Sequence, residues 1–234
     1  MIVLRQAGLQ VEGAHGAGLA ARTILEATSL DLSERRVALI GANGSGKSTL
    51  LRMLNGLTIP TSGSVRVEGH DTVRDGAAVR RRVGFVFTDP LHQLVMSTPA
   101  DDVELSLRRL ISNRQQRRAK ALELLENRGL AQVAQTSIYD LSGGERQLVS
   151  LTAVLAVDPS IVVADEPTTL LDLRNRIQVI DALMALDQQV VLATHDLDFA
   201  RHADRVLMVD EGRVVADGAP DEVIGHYRTL MGRR

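Results

Sequence analysis

Gly41-Ala42-Asn43-Gly44-Ser45-Gly46-Lys47-Ser48-Thr49 decides how this chain is read. A glycine, four residues and then Gly-Lys-Ser/Thr is the spacing of a phosphate-binding P-loop. The flanks agree with it. Val37-Ala38-Leu39-Ile40 reads as a buried strand. Ser48 to Leu57 reads as a helix with Leu50, Leu51, Leu54 and Leu57 on its apolar side. Strand, glycine loop, helix is the context that the motif needs. Glycines let backbone N–H groups crowd round an anion, and the helix start adds its unpaired N–H groups and positive end. Lys47 supplies a compact charge for the outer phosphates, and the Ser48 hydroxyl is placed to ligate Mg²⁺. Lys47 and Lys120 are the only lysines in a chain that otherwise uses arginine. That choice suits a point charge better than a planar fork.

Composition narrows the class. The 234 residues are enough for one large domain, or a domain with a subdomain. The net charge of −2 predicts no pull toward nucleic acid, so none is expected as a partner. With no cysteine there is no disulfide framework and no thiolate metal site. The first residues do not read as a leader, and no apolar run approaches the ~20 residues of a membrane span. The expectation is a chain on the cytoplasmic side that can sit against a membrane protein. Aromatics are scarce, so the core must rest on Leu, Val, Ile and Ala.

Along the chain, Ile2–Leu4 and Ile24–Leu32 read as strands, with a glycine-rich loop at 12–18 between them. Ser64–Glu68 alternates polar and apolar, as a half-exposed strand does. Gly69-His70-Asp71 reads as a turn and Val83–Phe87 as a buried strand. From Leu91 to Tyr139 the pattern is helical, over 101–111 and 114–128, which predicts a helical subdomain at 91–139 inserted into a single α/β domain of 1–234. The basic cluster Arg114, Arg117, Arg118 and Lys120 reads as a solvated face, since Glu123 and Glu126 follow it. Strands are expected again at Ser160–Ala164, Gln189–Ala193, Arg205–Val209 and Arg213–Ala216. Helices are expected at 145–157, 173–186, 196–202 and 220–230. Asp210-Glu211-Gly212 is a hairpin signal.

Two further stretches carry chemistry. Ile161-Val162-Val163-Ala164 ends in Asp165-Glu166. An acid at such a strand end can hold Mg²⁺ through its water shell, the role read for Asp165. Glu166 would orient and polarise an attacking water as general base. Leu141-Ser142-Gly143-Gly144-Glu145 places little bulk just before a helix, so that a second helix start can face an anion. Ser142 with Glu145 three residues on is equally a capping box.

With Leu141–Glu145 and Asp165-Glu166-Pro167-Thr168 downstream of the P-loop, the chain resembles the ATP-binding-cassette (ABC) ATPases, from Leu4 to about Gly218. The resemblance implies their fold: a RecA-like mixed sheet, an N-terminal antiparallel β subdomain and an inserted helical subdomain. It implies ATP and Mg²⁺ as cofactors. It also implies head-to-tail pairing with a second copy, so that ATP lies between one P-loop and the other chain's Ser142-Gly143-Gly144. Asp172 then falls in the D-loop facing the partner, and His195 at the switch histidine that contacts the γ-phosphate. Two positions depart from the pattern. Thr88 stands where most members have a metal-ligating Gln; its shorter hydroxyl would reach the metal only through water, and Gln93, five residues on, is the alternative. Val11 stands near the usual adenine-stacking aromatic, which implies modest nucleotide affinity and poor discrimination among bases. Phe87-Thr88-Asp89-Pro90 and Asp101-Asp102-Val103 resemble energy-coupling-factor (ECF) ATPases, and Pro167–Asn175 is most like their biotin-type members. That implies a transmembrane coupling protein and a small substrate-binding membrane protein as partners. The cargo would be biotin, another vitamin, or cobalt or nickel. Phe85, Phe87, Leu91, Leu94, Val95 and Met96 are apolar enough to line a docking groove, and the two Phe residues serve equally as core.

Overall fold

Strands Arg36–Ile40 (β3) and Ile161–Asp165 (β7) are buried along their whole length in a computed structural model that describes residues 1–11 and 22–232. The loop read at 12–18 lies outside the described residues. Strands buried on both faces are apolar without alternation, and their side chains divide between two cores. In β3, Val37 and Leu39 face one cluster and Ala38 and Ile40 the other. In β7, Ile161 and Val163 part in the same way from Val162 and Ala164.

These strands belong to a six-stranded sheet. Its other members are Val83–Val86 (β6), Gln189–Ala193 (β8), Arg205–Asp210 (β9) and Arg213–Gly218 (β10), in the order β10-β9-β3-β8-β7-β6. All neighbours are parallel except the β9–β10 hairpin. Glu211 and Gly212 make its tight turn, both at positive φ (46° and 79°), as the right-handed twist of paired strands favours. A second sheet is antiparallel: Ile2–Val11 (β1), Arg22–Leu32 (β2), Ser62–Val67 (β4) and His70–Asp71 (β5), in the order β2-β1-β4-β5. Helix Lys47–Leu54 (α1) buries Leu50, Leu51, Met53 and Leu54 in the core that both sheets share.

The other face of the large sheet is covered by Gly143–Leu155 (α5), Leu173–Met184 (α6), Leu197–Ala200 (α7) and Pro220–Met231 (α8). Between β6 and α5 run Pro99–Leu107 (α3) and Arg114–Glu126 (α4). Their buried Val103, Leu107, Ala121 and Leu125 form a third core with Val149 and Ala153 of α5. Thus α5 belongs to two cores at once.

Some boundaries differ from the sequence reading. Helix α1 ends at Leu54, and Leu57 is exposed, because Gly56 takes a left-handed φ of 71° and stops the helix. His70-Asp71, read as a turn, pairs as a short strand with β4. Helix Gly76–Arg82 (α2) was not expected. It buries Val79 alone, so its sequence carries no apolar period.

Parallel strands leave their C-terminal ends on one edge. In register, Leu39 pairs with Ala193, and Ala193 with Asp165. The segments starting at Gly41, Thr88, Glu166 and Thr194 therefore leave the same edge, where open α/β sheets bind ligands. Gly84 of β6 lets α5 approach: a Cβ there would lie 2.3 Å from Val154 Cγ1. Gly84→Ala is expected to destabilise the chain by about 1–3 kcal/mol in urea melts. An unchanged midpoint would mean that the helix–sheet contact is loose.

Candidate active site

The P-loop is held from beneath. Gly41 has φ 150°, and a Cβ on it would fall 2.0 Å from the Val209 carbonyl of β9. The Gly212 N–H donates to Ser45 O at 2.8 Å, and Glu26 N–H to Gly212 O at 2.8 Å. The hairpin turn is thus wedged between loop and β2. Gly46, at φ 110°, is the residue before α1. Lys47 is buried and donates to the carbonyls of Gly41 (2.8 Å) and Ala42 (3.1 Å), with Glu166 Oε1 at 4.0 Å. Burial pushes its ammonium below the ordinary lysine value, while the carboxylates of Glu166 and Asp165 oppose that.

Ser48 Oγ donates to Asp165 Oδ1 at 2.8 Å, and Arg52 lies 3.8 Å from the other oxygen. Burial pushes the Asp165 carboxyl above its ordinary value, against the Ser48 bond and the Arg52 charge. One hydroxyl and one carboxylate make a hard-oxygen pair, a donor set that fits Mg²⁺, which keeps waters and phosphate oxygens as its other ligands. Thr88 Oγ1 donates to the Asp165 backbone carbonyl at 2.7 Å, so its proton is engaged there. Gln93 Oε1 accepts from Phe87 N–H at 3.3 Å, and Gln147 donates to Phe87 O at 3.2 Å.

Glu166 has φ 51°, in the left-handed region that costs a non-glycine residue about 1–2 kcal/mol. The turn is held by Glu166 N–H donating to Ala193 O at 3.0 Å. It is also held at the side chain, where Oε2 takes the His195 N–H (3.2 Å), His195 Nδ1 (2.7 Å) and the Thr169 hydroxyl (3.1 Å). The other oxygen is the one nearer Lys47. A cavity of about 580 Å³ opens here, walled by Ala42, Asn43, Thr88, Glu166, His195 and Tyr227 among others. A second, of about 310 Å³, runs along Gly44, Gly46, Lys47 and Ser48 to Arg22 and Ile24. Asn43 and Glu166 wall both. Val11 is half exposed at the end of β1, and its cross-strand neighbour is Arg22.

Ser142 to Glu145 forms the capping box read from the sequence: Glu145 N–H donates to Ser142 Oγ at 3.2 Å, and Ser142 N–H to Glu145 Oε2 at 2.7 Å. A Cβ on Gly144 would fall 2.3 Å from Asn175 Oδ1. Asp172 caps α6, accepting Asn175 N–H and Asn175 Nδ2 at 2.9 Å each. Ser142, Glu145, Asp172 and Asn175 line a separate cavity of about 660 Å³. The chain therefore gathers Lys47, Ser48, Asp165, Glu166 and His195, and holds Ser142 and Asp172 apart from them on another wall. Of the apolar stretch, Phe85 and Leu94 are core, Phe87 packs on Phe85, and Leu91, Val95 and Met96 are exposed. The sequence reading missed Thr169, Asn175, Arg22 and Tyr227.

A family model described as ABC transporter matches residues 25–169. The chain belongs to the ABC transporter family. Its activity is hydrolysis of ATP to ADP and phosphate, coupled to transport. An ABC transporter ATP-binding protein of Deinococcus radiodurans is 44% identical over 90% of this chain and 93% of its own. The biotin transport ATP-binding protein BioM of Rhizobium etli is 39% identical over 95% and 98%. The energy-coupling factor transporter ATP-binding protein EcfA1 of Halalkalibacterium halodurans is 39% identical over 79% and 68%. Among solved structures, the dimeric cassette MJ0796 with ADP and Pi is 30% identical with a TM-score of 0.83, covering 94% of this chain and 99% of that one. The cbiO1 protein of Clostridium perfringens, part of the ABC transporter complex cbiONQ, is 25% identical with a TM-score of 0.80, over 99% and 93%. No helix among the described residues is long and apolar enough to cross a membrane.

The burial of Asp165 has a pH consequence. Between the ordinary carboxyl value and its raised one, the folded chain holds the proton more tightly than the unfolded chain does. Stability therefore falls as pH rises through that window. Asp165→Asn is expected to abolish this fall and to raise the nucleotide-free Tm at pH 7 by about 3 °C, roughly 1 kcal/mol at this size. ATP hydrolysis is expected to drop about 100-fold. A lower Tm with activity retained would contradict both.

Proposed function

We propose that this chain is the ATPase of an ECF-type importer whose cargo is biotin. The observation that carries the reading is the near full-length match to BioM, 39% identical over 222 residues, together with a hydrolysis-competent cluster at the strand ends. ATP would lie along the P-loop, with Lys47 exchanging the Gly41 and Ala42 carbonyls for phosphate oxygens. Ser48 and Asp165 would hold Mg²⁺, with Thr88 bracing Asp165 from behind rather than ligating directly. When bound, that ion neutralises phosphate charge.

Glu166 is the general base. Its Oε2 is occupied by His195 and Thr169, so Oε1 is left to orient a water in line with the terminal phosphate and take its proton. With Nδ1–H given to Glu166, His195 donates Nε2–H to the γ-phosphate as the imidazolium, with both ring nitrogens protonated. The water oxygen forms the new P–O bond as the bond to the ADP oxygen breaks. Ser142 and Asp172 line another wall, which favours a site completed by a second copy. Binding of two ATP then closes the pair, and cleavage releases it. Exposed Leu91, Val95 and Met96, at the start of the helical segment 91–139, are the proposed contact for a transmembrane coupling protein. That segment is proposed to act as a unit.

Glu166→Gln should slow hydrolysis about 10²–10⁴-fold, the share of a positioned general base. With ATP, size-exclusion chromatography should show a dimer; monomers alone would contradict the paired site. Tagged chain extracted from bacterial membranes should bring down a coupling protein and a small membrane protein, with biotin identified by mass spectrometry. Recovery of cobalt or nickel instead would overturn the cargo.

A further inference from the structure

Tyr227 is one of only two tyrosines in the chain, and it sits on α8, far in sequence from every motif above. The topology brings it back. Strand β9 is parallel to β3 and ends at the P-loop edge, and β10 returns antiparallel to the opposite edge. Helix α8 starts there at Pro220 and runs back, so its later turns reach the edge where Gly41, Glu166 and His195 emerge. Tyr227 accordingly walls the same 580 Å³ cavity as Ala42, Asn43, Thr169 and His195. Its ring is half-buried against the core cluster of α5, α6 and α8, which fixes the ring's place. A tyrosine in this setting has an apolar body in the core and a phenolic O–H that can donate to an anion.

We infer that the Tyr227 hydroxyl donates a hydrogen bond to the terminal phosphate of ATP, a contact that ADP lacks. The inference rests on the nucleotide reading of the P-loop. The geometry separates the two nucleotides. The smaller cavity along Gly44 to Thr49 lies away from Tyr227, on the Arg22 side. The two cavities share Asn43 and Glu166, and only the larger one adds His195, the group read as meeting the last phosphate, together with Tyr227. A donor there binds the triphosphate and not the diphosphate. It makes the C-terminal helix part of how the chain distinguishes ATP from ADP.

Tyr227→Phe removes the oxygen and keeps the ring in its packing, so the fold is not at risk. Calorimetric titration with a non-hydrolysable ATP analogue and with ADP tests the contact. The expected result is an analogue affinity lower by about tenfold or more, the usual weight of a hydrogen bond to a charged group, with ADP affinity changed less than about twofold. Unchanged analogue affinity would overturn the inference. So would equal loss for both ligands, which would mark Tyr227 as a packing residue. Binding of neither ligand by the unaltered chain would overturn the nucleotide reading itself, and the inference with it.

Discussion

The Lys47 ammonium and the Asp165 carboxylate are both buried at the edge of the large sheet, and neither has the other as a direct partner. A buried charge is expensive unless hydrogen bonds hold it. Lys47 is held by two P-loop carbonyls, and Asp165 by Ser48 with Arg52 nearby. Each of these contacts requires α1 to start beside the end of β7. That in turn requires Gly41 to pass against Val209, with no room for a side chain. The two sheets, the helix between them and the β9–β10 turn are the means by which two opposed charges stay fixed and separate.

The same edge stores backbone strain. Glu166 sits in a left-handed conformation, and its carboxylate is tied down by His195 and Thr169. Such a conformation persists only where its surroundings over-determine it. Here they engage Oε2 and leave Oε1, the oxygen nearer Lys47, as the one the proposed mechanism uses. The cost in folding stability is carried by apolar cores on both faces of the sheet. The residues of Leu141–Glu145, with Asp172, follow a different logic. Ser142 and Glu145 satisfy one another in a capping box, Gly144 lets Asn175 press close, and Asp172 caps its own helix. Local bonding explains their shape, and their position on a separate wall is what the proposed pairing with a second chain rests on.

Much of this was legible in the sequence because glycine and acid spacings at strand ends leave few alternatives. The apolar strand before Gly41, the capping box at Ser142 and the hairpin at Glu211-Gly212 are local, and each was read correctly. Helix α2 escaped because one buried valine makes no period. Helix α1 was drawn too long because Leu57 continues its pattern past the stop at Gly56. The contacts of Thr169, Asn175 and Tyr227 could not be read. Their places depend on where a turn, a helix cap or a returning helix meets another part of the chain. Thr88 is intermediate: its departure from the family pattern was visible, but its bond to the Asp165 carbonyl was not.

The central claim is that the complete ATP site contains one chain's P-loop and another chain's Ser142. The absence of cysteine makes a direct measurement possible. One preparation would carry Ala42→Cys and a second Ser142→Cys, both on a Glu166→Gln background, mixed with ATP under mild oxidation. The account predicts a covalent dimer in the mixture, dependent on ATP and absent from either preparation alone. A mixture that remains monomeric with ATP bound would contradict it.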